Sequence, residues 1–291
     1  MTTYAVRHVT RYRYAAPVTA SYGQHHLLPR DTAWQRVQDA RVVVTPEPDE
    51  QDEHGDLLGN RVGWFALQHA HTELEVAASS RISVREPELP DDDPPWEDVR
   101  DHLRDATDPL AIEARGLAID SPLVAASPAL RALGQEAFTP GRGVVAALRD
   151  LASHLHAEFE FDPTATTVAS PVDEVLARRA GVCQDFAHVM VGALRSLRLP
   201  ARYVSGYLET EPPPGMQRLQ GADASHAWAA LHVPGHGWVD ADPTNDQLVG
   251  DRHVTVGWGR DYADVTPVKG VIQTHGHTES LVVEVDVERL A

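Results

Sequence analysis

The stretch GVCQDFAHVMVGALRSLRLP at residues 181–200 decides the fold class of this chain. Its apolar residues recur with spacings of three and four, which is typical of the buried face of an amphipathic helix: Phe186, Val189, Met190, Ala193, Leu194 and Leu197. Proline disfavours helical geometry in the preceding residue, so Leu199-Pro200 is expected to end the helix. The pattern predicts a helix with Cys183 in its first turn.

Cys183 is the only cysteine among 291 residues. A lone cysteine is most often a small buried hydrophobe. In the first turn of a helix, however, unpaired backbone amides and the positive end of the helix dipole stabilise a thiolate. The same amides, that of Cys183 among them, are candidates to hold an oxyanion. We therefore interpret Cys183 as a candidate nucleophile, which requires a base and a group that orients the base.

A predicted hairpin supplies both partners. Residues 225–233 (SHAWAALHV) and 238–242 (WVDAD) have strand character and flank the turn PGHG at 234–237. His226 is the candidate base and Asp242 the carboxylate that orients its ring. Pairing symmetric about Gly235 and His236 would place them on opposite faces, so we predict a three-residue loop or a bulge. Asp240 would then share that face and is the alternative acid.

Four strings carry a resemblance to a known family: residues 181–188 (GVCQDFAH), 200–208 (PARYVSGYL), 224–228 (ASHAW) and 237–245 (GWVDADPTN). They resemble the bacterial transglutaminase-like superfamily. The resemblance implies a Cys183, His226 and Asp242 triad, and it favours Asp242 over Asp240. It also implies an α+β fold of papain/transglutaminase type, in which a helix bearing the cysteine packs on an antiparallel sheet that carries the histidine and the aspartate.

Both flanks of this core also resemble the family. Residues 8–14 (HVTRYRY), 28–30 and 59–60 are similar to a β-rich domain that precedes the core, and residues 259–265 (GRDYADV) are similar to a family string near the end. Short alternating runs broken by Pro, Gly and Asp agree with an antiparallel β domain. A proline-rich acidic tract, EPELPDDDPP, follows and is typical of a linker.

The predicted organisation has four parts. Residues 1–88 form an antiparallel β-rich domain, and residues 89–110 an acidic, proline-rich linker. Residues 111–250 form the catalytic core, and residues 251–291 add C-terminal strands that complete the fold.

Further residues are predicted around the triad. Gln184, Trp228 and Trp238 are candidates for the oxyanion site and its surroundings. Phe161 stands where relatives are expected to have tyrosine, which leaves a second oxyanion donor unassigned.

A substrate groove is predicted from Tyr207, Arg260, Asp261 and Tyr262. The alternative for Arg260 and Asp261 is structural, since an Arg-Asp pair commonly locks a loop.

The amino-acid composition limits which partners and which cellular compartment are expected. The formal charge is −18, from 25 basic and 43 acidic side chains, so nucleic acid is not an expected partner. A secretory leader and an apolar run of membrane-spanning length are both missing, and a cytoplasmic protein with no membrane partner is expected. Histidine pairs such as His69 and His71 lack a third metal ligand at a spacing typical of a metal site. No metal or cofactor is expected.

The predicted reaction is acyl transfer on a peptide or protein amide through a thioester. Water as acceptor makes a cysteine protease or amidase, which we favour; a primary amine makes a cross-linking transglutaminase. The alternative from another class is a non-catalytic peptide-binding scaffold.

Overall fold

The computed structural model describes residues 1–210 and 225–290. Its strands are β1 (Thr2–Leu28), β2 (Gln35–Thr45), β3 (Glu50–Gly55), β4 (Arg61–Leu67), β5 (His71–Val84), β6 (Glu160–Phe161), β7 (Ala180–Gly181), β8 (Ala201–Leu208), β9 (Ser225–Val233), β10 (Gly237–Asp242), β11 (Gln247–Leu248), β12 (His253–Gly259), β13 (Val268–Thr274) and β14 (Thr278–Leu290). Its helices are α1 (Trp96–Asp105), α2 (Pro109–Gly116), α3 (Pro128–Ala137), α4 (Val144–Glu158), α5 (Val172–Arg178) and α6 (Cys183–Ser196), with a 3₁₀ turn at Tyr262–Asp264. None of these helices has the length and apolarity needed to cross a membrane.

Two antiparallel sheets organise the chain. The first has the strand order β2-β5-β1-β4-β3, and β14 and β13 pair with the two halves of the long strand β1. The second has the order β11-β10-β9-β8-β12. An apolar cluster that includes Tyr4, Val6, Tyr207 and Val254 joins the two sheets. The chain is therefore an α+β protein of the predicted type, with a β-rich N-terminal region and a helix-on-sheet core.

Helix α6 is buried on every side, as is typical of a central core helix. It packs on β9, β8, α3 and α5. The sheet face toward it presents small side chains, such as Ala227, Ala229 and Ala241, which allow the helix to approach closely. The helix begins at Cys183, as predicted. It ends at Ser196, before the proline, because the chain turns at Arg198 through a left-handed backbone with φ +64°.

The β9–β10 hairpin has the predicted three-residue loop. Val233 pairs with Gly237, so residues 234–236 form the loop. Gly235 and Gly237 have φ values of +79° and +108°, which favour glycine. This register gives His226, Asp240 and Asp242 the same side-chain face, and the prediction is confirmed.

The predicted linker at 89–110 is wrong as a description of this segment. Residues 96–105 form α1, and Trp96 is buried with its ring edge-on to Phe138 at 6.0 Å between centroids. Asp93 accepts backbone hydrogen bonds from Val145 and Ala146, which caps the start of α4. The acidic tract thus includes a helix cap, a use that its composition alone does not reveal.

The strands after residue 250 divide between the two sheets. β12 pairs with β8 in the second sheet, whereas β13 and β14 pair with β1 in the first. The last strands therefore return the chain to the N-terminal region.

Two side-chain amides of the N-terminal region bind the free edge of β12. Gln35 accepts a hydrogen bond from the Thr255 amide at 2.8 Å and donates to the Thr255 carbonyl at 2.7 Å. Asn60 accepts from the Trp258 amide at 3.0 Å and donates to its carbonyl at 2.8 Å. Each side-chain amide takes the place of a neighbouring strand, so backbone groups of this edge strand that would otherwise be unpaired have partners. We call this pair of contacts the amide clamp.

The amide clamp predicts a specific loss of stability. Gln35→Ala leaves the buried amide and carbonyl of Thr255 without partners, which should lower the free energy of unfolding by about 1–3 kcal/mol. Urea titration measures this change. The control is Gln38→Ala, on the same strand, where the glutamine is exposed and bonds Ser83. Equal losses in the two variants would contradict the clamp.

Candidate active site

The start of α6 is fixed by a carboxylate and a glycine. Asp185 Oδ2 accepts hydrogen bonds from the Val182 amide at 2.9 Å and from Thr166 Oγ1 at 2.6 Å. A Cβ atom at Gly181 would lie 2.5 Å from the same oxygen, so only glycine fits there. These contacts set the backbone immediately before Cys183, which is partly buried. Its own amide lies in the first turn and has no intrahelical acceptor.

His226 connects the cysteine to an acid. Its Nε2 lies 2.7 Å from Asp242 Oδ2, and its side chain is 10% exposed. The Cys183 thiol is a second hydrogen-bond partner of the ring. Because Asp242 occupies Nε2, Nδ1 is the ring nitrogen left for a contact with sulfur. The structure therefore brings Cys183, His226 and Asp242 together in the predicted order.

The ring of His226 is held in its charged form. Burial lowers its pKa, but hydrogen bonds to Asp242 and Cys183 outweigh burial and raise the pKa to about 10. An imidazolium beside sulfur stabilises a thiolate through their opposite charges.

Asp242 is fully buried and surrounded by donors. Its Oδ1 accepts from the backbone amides of Thr244 at 3.0 Å and Asn245 at 3.2 Å, an Asx turn set by the DPTN sequence. Its Oδ2 accepts from Asn245 Nδ2 at 2.7 Å in addition to His226. Burial raises the pKa of Asp242, but hydrogen bonds from His226 and His253 outweigh it, and the pKa lies below its usual range. The carboxylate stays charged at neutral pH.

The alternative acid, Asp240, has a different partner. Its Oδ2 accepts a hydrogen bond from Trp228 Nε1 at 2.9 Å, and Arg202 lies 3.7 Å from its other oxygen. Asp240 thus fixes the Trp228 indole, whose ring centroid lies 6.0 Å from that of His226. Geometry favours Asp242 as the partner of His226.

The predicted oxyanion residues occupy three different positions. The Trp228 N–H is bound to Asp240, so Trp228 belongs to the surroundings of the site, as a packing partner of His226, and is not an oxyanion donor. Trp238 pairs with His232 near the hairpin turn and stacks under Arg202, away from His226. Gln184 donates to the Val168 carbonyl at 3.2 Å and ties that loop to the helix. Phe161 is 55% exposed on β6. The backbone amide of Cys183 remains the best candidate donor.

Two predicted groove residues prove to be buried supports. Tyr207 is 2% exposed, and His8 Nδ1 lies 3.1 Å from its hydroxyl, between the two sheets. Asp261 is fully buried and accepts from the amides of Leu123 and Ala263, each at 2.9 Å. Their side chains cannot line an open groove, and we correct both assignments.

The other two groove candidates have mixed roles. Arg260 forms a two-point ion pair with Asp264, the locking role given as the alternative, although its partner is not Asp261. The Tyr262 amide donates to His188 Nε2 at 3.1 Å, and its partly exposed ring meets Tyr203 edge-on. Tyr262 is the member of the set best placed to meet a ligand.

Sequence reasoning missed His253, which lies against Asp242. Its Nε2 is 3.1 Å from Asp242 Oδ2, and it is 1% exposed. Neither its spacing from Asp242 nor a motif marks it, because the contact depends on how β12 pairs at the far edge of the sheet.

His226, Asp242 and His253 also form the one group among the described residues whose ligand atoms, within 4.8 Å of one another, suit a metal ion. The hydrogen bonds argue against that use. The Gly250 amide donates to His253 Nδ1 at 3.3 Å, so a neutral His253 ring carries its proton on Nε2. A protonated Nε2 donates to Asp242 and has no lone pair for a metal.

The raised pKa of His226 predicts a stability that falls as pH rises. The ring keeps its proton up to about pH 10 when folded but loses it near pH 6.5 when unfolded. Its contribution is therefore complete below pH 6.5 and disappears toward pH 10. Urea titrations across this interval should show the free energy of unfolding of the wild type declining relative to that of His226→Gln. Parallel profiles would contradict the charged ring.

Comparison with known proteins agrees with this architecture. The family model for the bacterial transglutaminase-like N-terminal region matches residues 4–83, and the model for the transglutaminase-like superfamily matches residues 131–243. The uncharacterized protein Rv2569c of Mycobacterium tuberculosis is 40% identical over 98% of this chain and 92% of its own length. The uncharacterized protein ML0607 of Mycobacterium leprae is 34% identical over 98% of both chains.

A solved structure shares the fold. It is the crystal structure of "a Putative Cysteine Protease from Cytophaga hutchinsonii", with a TM-score of 0.73 and 19% identity, covering 98% of this chain and 90% of that one. The matched regions and the relatives spanning the whole length establish that this chain belongs to the transglutaminase-like superfamily.

Proposed function

We propose that this protein transfers acyl groups from peptide or protein amides through a thioester on Cys183, with His226 as acid and base and Asp242 as the group that orients His226. The observation that carries the proposal is the position of His226, which bonds the thiol on one side and a buried carboxylate on the other. A histidine so placed can move a proton between sulfur and a leaving group without changing its orientation.

The first half of the reaction forms the thioester. The Cys183 thiolate attacks the amide carbonyl, and the backbone amide of Cys183 stabilises the tetrahedral oxyanion, a contribution of about 3 kcal/mol per donor. The His226 imidazolium donates its Nδ1 proton to the departing nitrogen as the carbon–nitrogen bond breaks. An amine leaves, and the acyl group remains on sulfur.

The second half decides the class of enzyme. Neutral His226 takes a proton from the acceptor, the acceptor attacks the thioester, and the thiolate leaves with the imidazolium restored. We favour water as acceptor because it needs no binding site of its own, and the name of the structural neighbour points to proteolysis. With a primary amine as acceptor, the same steps would make a transglutaminase.

The product identifies the acceptor. We expect peptide substrates incubated with the wild-type protein to yield free-acid products, detected by mass spectrometry, and Cys183→Ala to yield none. Products carrying an added primary amine in place of ammonia would instead show transamidation. Identical product spectra for the wild type and Cys183→Ala would contradict the proposal and favour a binding scaffold.

Asp242 and Asp240 provide a matched pair of variants. Both are buried aspartates on the same face of β10, but Asp242 bonds His226 and Asp240 bonds Trp228. Asp242→Asn removes the charge that supports the imidazolium and should lower kcat/KM by roughly 10²–10⁴-fold.

Asp240→Asn keeps a hydrogen-bond acceptor for Trp228 and should change kcat/KM by less than about threefold, with its main effect on thermal stability. A larger kinetic loss in Asp240→Asn than in Asp242→Asn would reverse the assignment of the acid.

A further inference from the structure

We propose that His253 is a positioning residue that holds the Asp242 carboxylate in place for His226, so that the working site extends beyond Cys183, His226 and Asp242. The inference rests on the proposed function and assigns His253 a role beyond it. His253 does not touch the reacting atoms, and it acts only through Asp242.

The hydrogen bonds around the His253 ring define which of its nitrogens donates and which accepts. The Gly250 amide donates to Nδ1 at 3.3 Å, which leaves Nε2 as the nitrogen that donates. That N–H lies 3.1 Å from Asp242 Oδ2. With 1% of the residue exposed, water has no access to compete for either contact. His253 therefore donates to the carboxylate from a fixed position.

The ring is also held by packing. It meets the Trp228 indole edge-on, with centroids 5.2 Å apart and planes 78° apart. Asp240 fixes that indole through its N–H. Two residues along β12, Thr255 is held by Gln35 in the amide clamp. Backbone and side chain of His253 are thus both constrained before any substrate arrives.

The effect on Asp242 follows from the number of donors on one oxygen. Oδ2 accepts from His226 and Asn245 Nδ2, each at 2.7 Å, and from His253. The third donor opposes rotation of the carboxylate and supports its charge. Removing it leaves a buried carboxylate less stabilised, which raises the pKa of Asp242.

Other titratable groups connected to this oxygen are Cys183, which acts on it through His226, and Asp240, which interacts electrostatically with His253 and with Arg202. None of these is removed by substitution of His253.

Alkylation of Cys183 by iodoacetamide reports the thiolate without requiring a known substrate. His253→Leu removes the donor at similar bulk, and we expect a rate at neutral pH lower by roughly tenfold. The acidic limb of the alkylation rate plotted against pH should move to higher pH in His253→Leu, because Asp242 takes up a proton more readily when the donor is missing. His253→Gln, whose amide nitrogen can replace Nε2, should recover most of the rate and return the limb toward its wild-type position.

His232→Leu is the matched control. His232 is also buried and meets a tryptophan, Trp238, edge-on at 5.2 Å and 78°, but it lies six residues from His226 along β9. Cys183 in His232→Leu should be alkylated at a rate within about twofold of the wild-type rate. Thermal unfolding of each variant confirms that the comparison is made between folded proteins.

The outcomes separate the two proposals. A His253→Leu profile that coincides with the wild-type profile overturns the role of His253. A His253→Gln variant as slow as His253→Leu also overturns it, because packing and not hydrogen bonding would then be responsible. A wild-type cysteine that reacts no faster than the cysteine of His226→Gln overturns the proposed function, and this inference with it.

Discussion

The structure depends on keeping one buried carboxylate charged. Asp242 has no exposed surface, and an isolated carboxylate in such a place would take up a proton. Five hydrogen bonds prevent this, two from backbone amides of the following turn and three from the side chains of His226, Asn245 and His253. The charge in turn keeps His226 protonated, and His226 faces Cys183. Loss of the carboxylate would leave the other groups without their common partner.

The N-terminal region belongs to this arrangement through β12. This edge strand carries His253 at its start, and Gln35 and Asn60 bind its outer side. The apolar cluster between the sheets adds Tyr4 and Val6 beneath Tyr207 and Val254. The first sheet therefore supports β12, and β12 carries the His253 that bonds Asp242. This dependence gives a physical reason why relatives align with 98% of this chain and not with the core alone.

The sequence predicted the parts of the site that depend on local geometry. The 3.6-residue period located α6, and the period of two along β9 and β10 required a three-residue loop or a bulge, of which the structure contains the loop. It could not predict contacts that arise from strand order. His253 meets Asp242 because β12 pairs with β8 at the edge of the sheet, and Tyr207 is covered because the first sheet packs on it. The acidic tract was mistaken for a linker because composition does not show that Asp93 caps α4.

The central claim is that the Cys183 sulfur receives an acyl group with the help of His226. Incubation of the protein with an activated ester, followed by intact-mass measurement and peptide mapping, tests this claim most directly. The chain has only one lysine side chain, Lys269, to compete as an amine for acylation. The account predicts an acyl adduct on Cys183 in the wild type, released over time, and little adduct in His226→Gln. Acylation confined to other residues, or equal on Cys183 in both proteins, would contradict it.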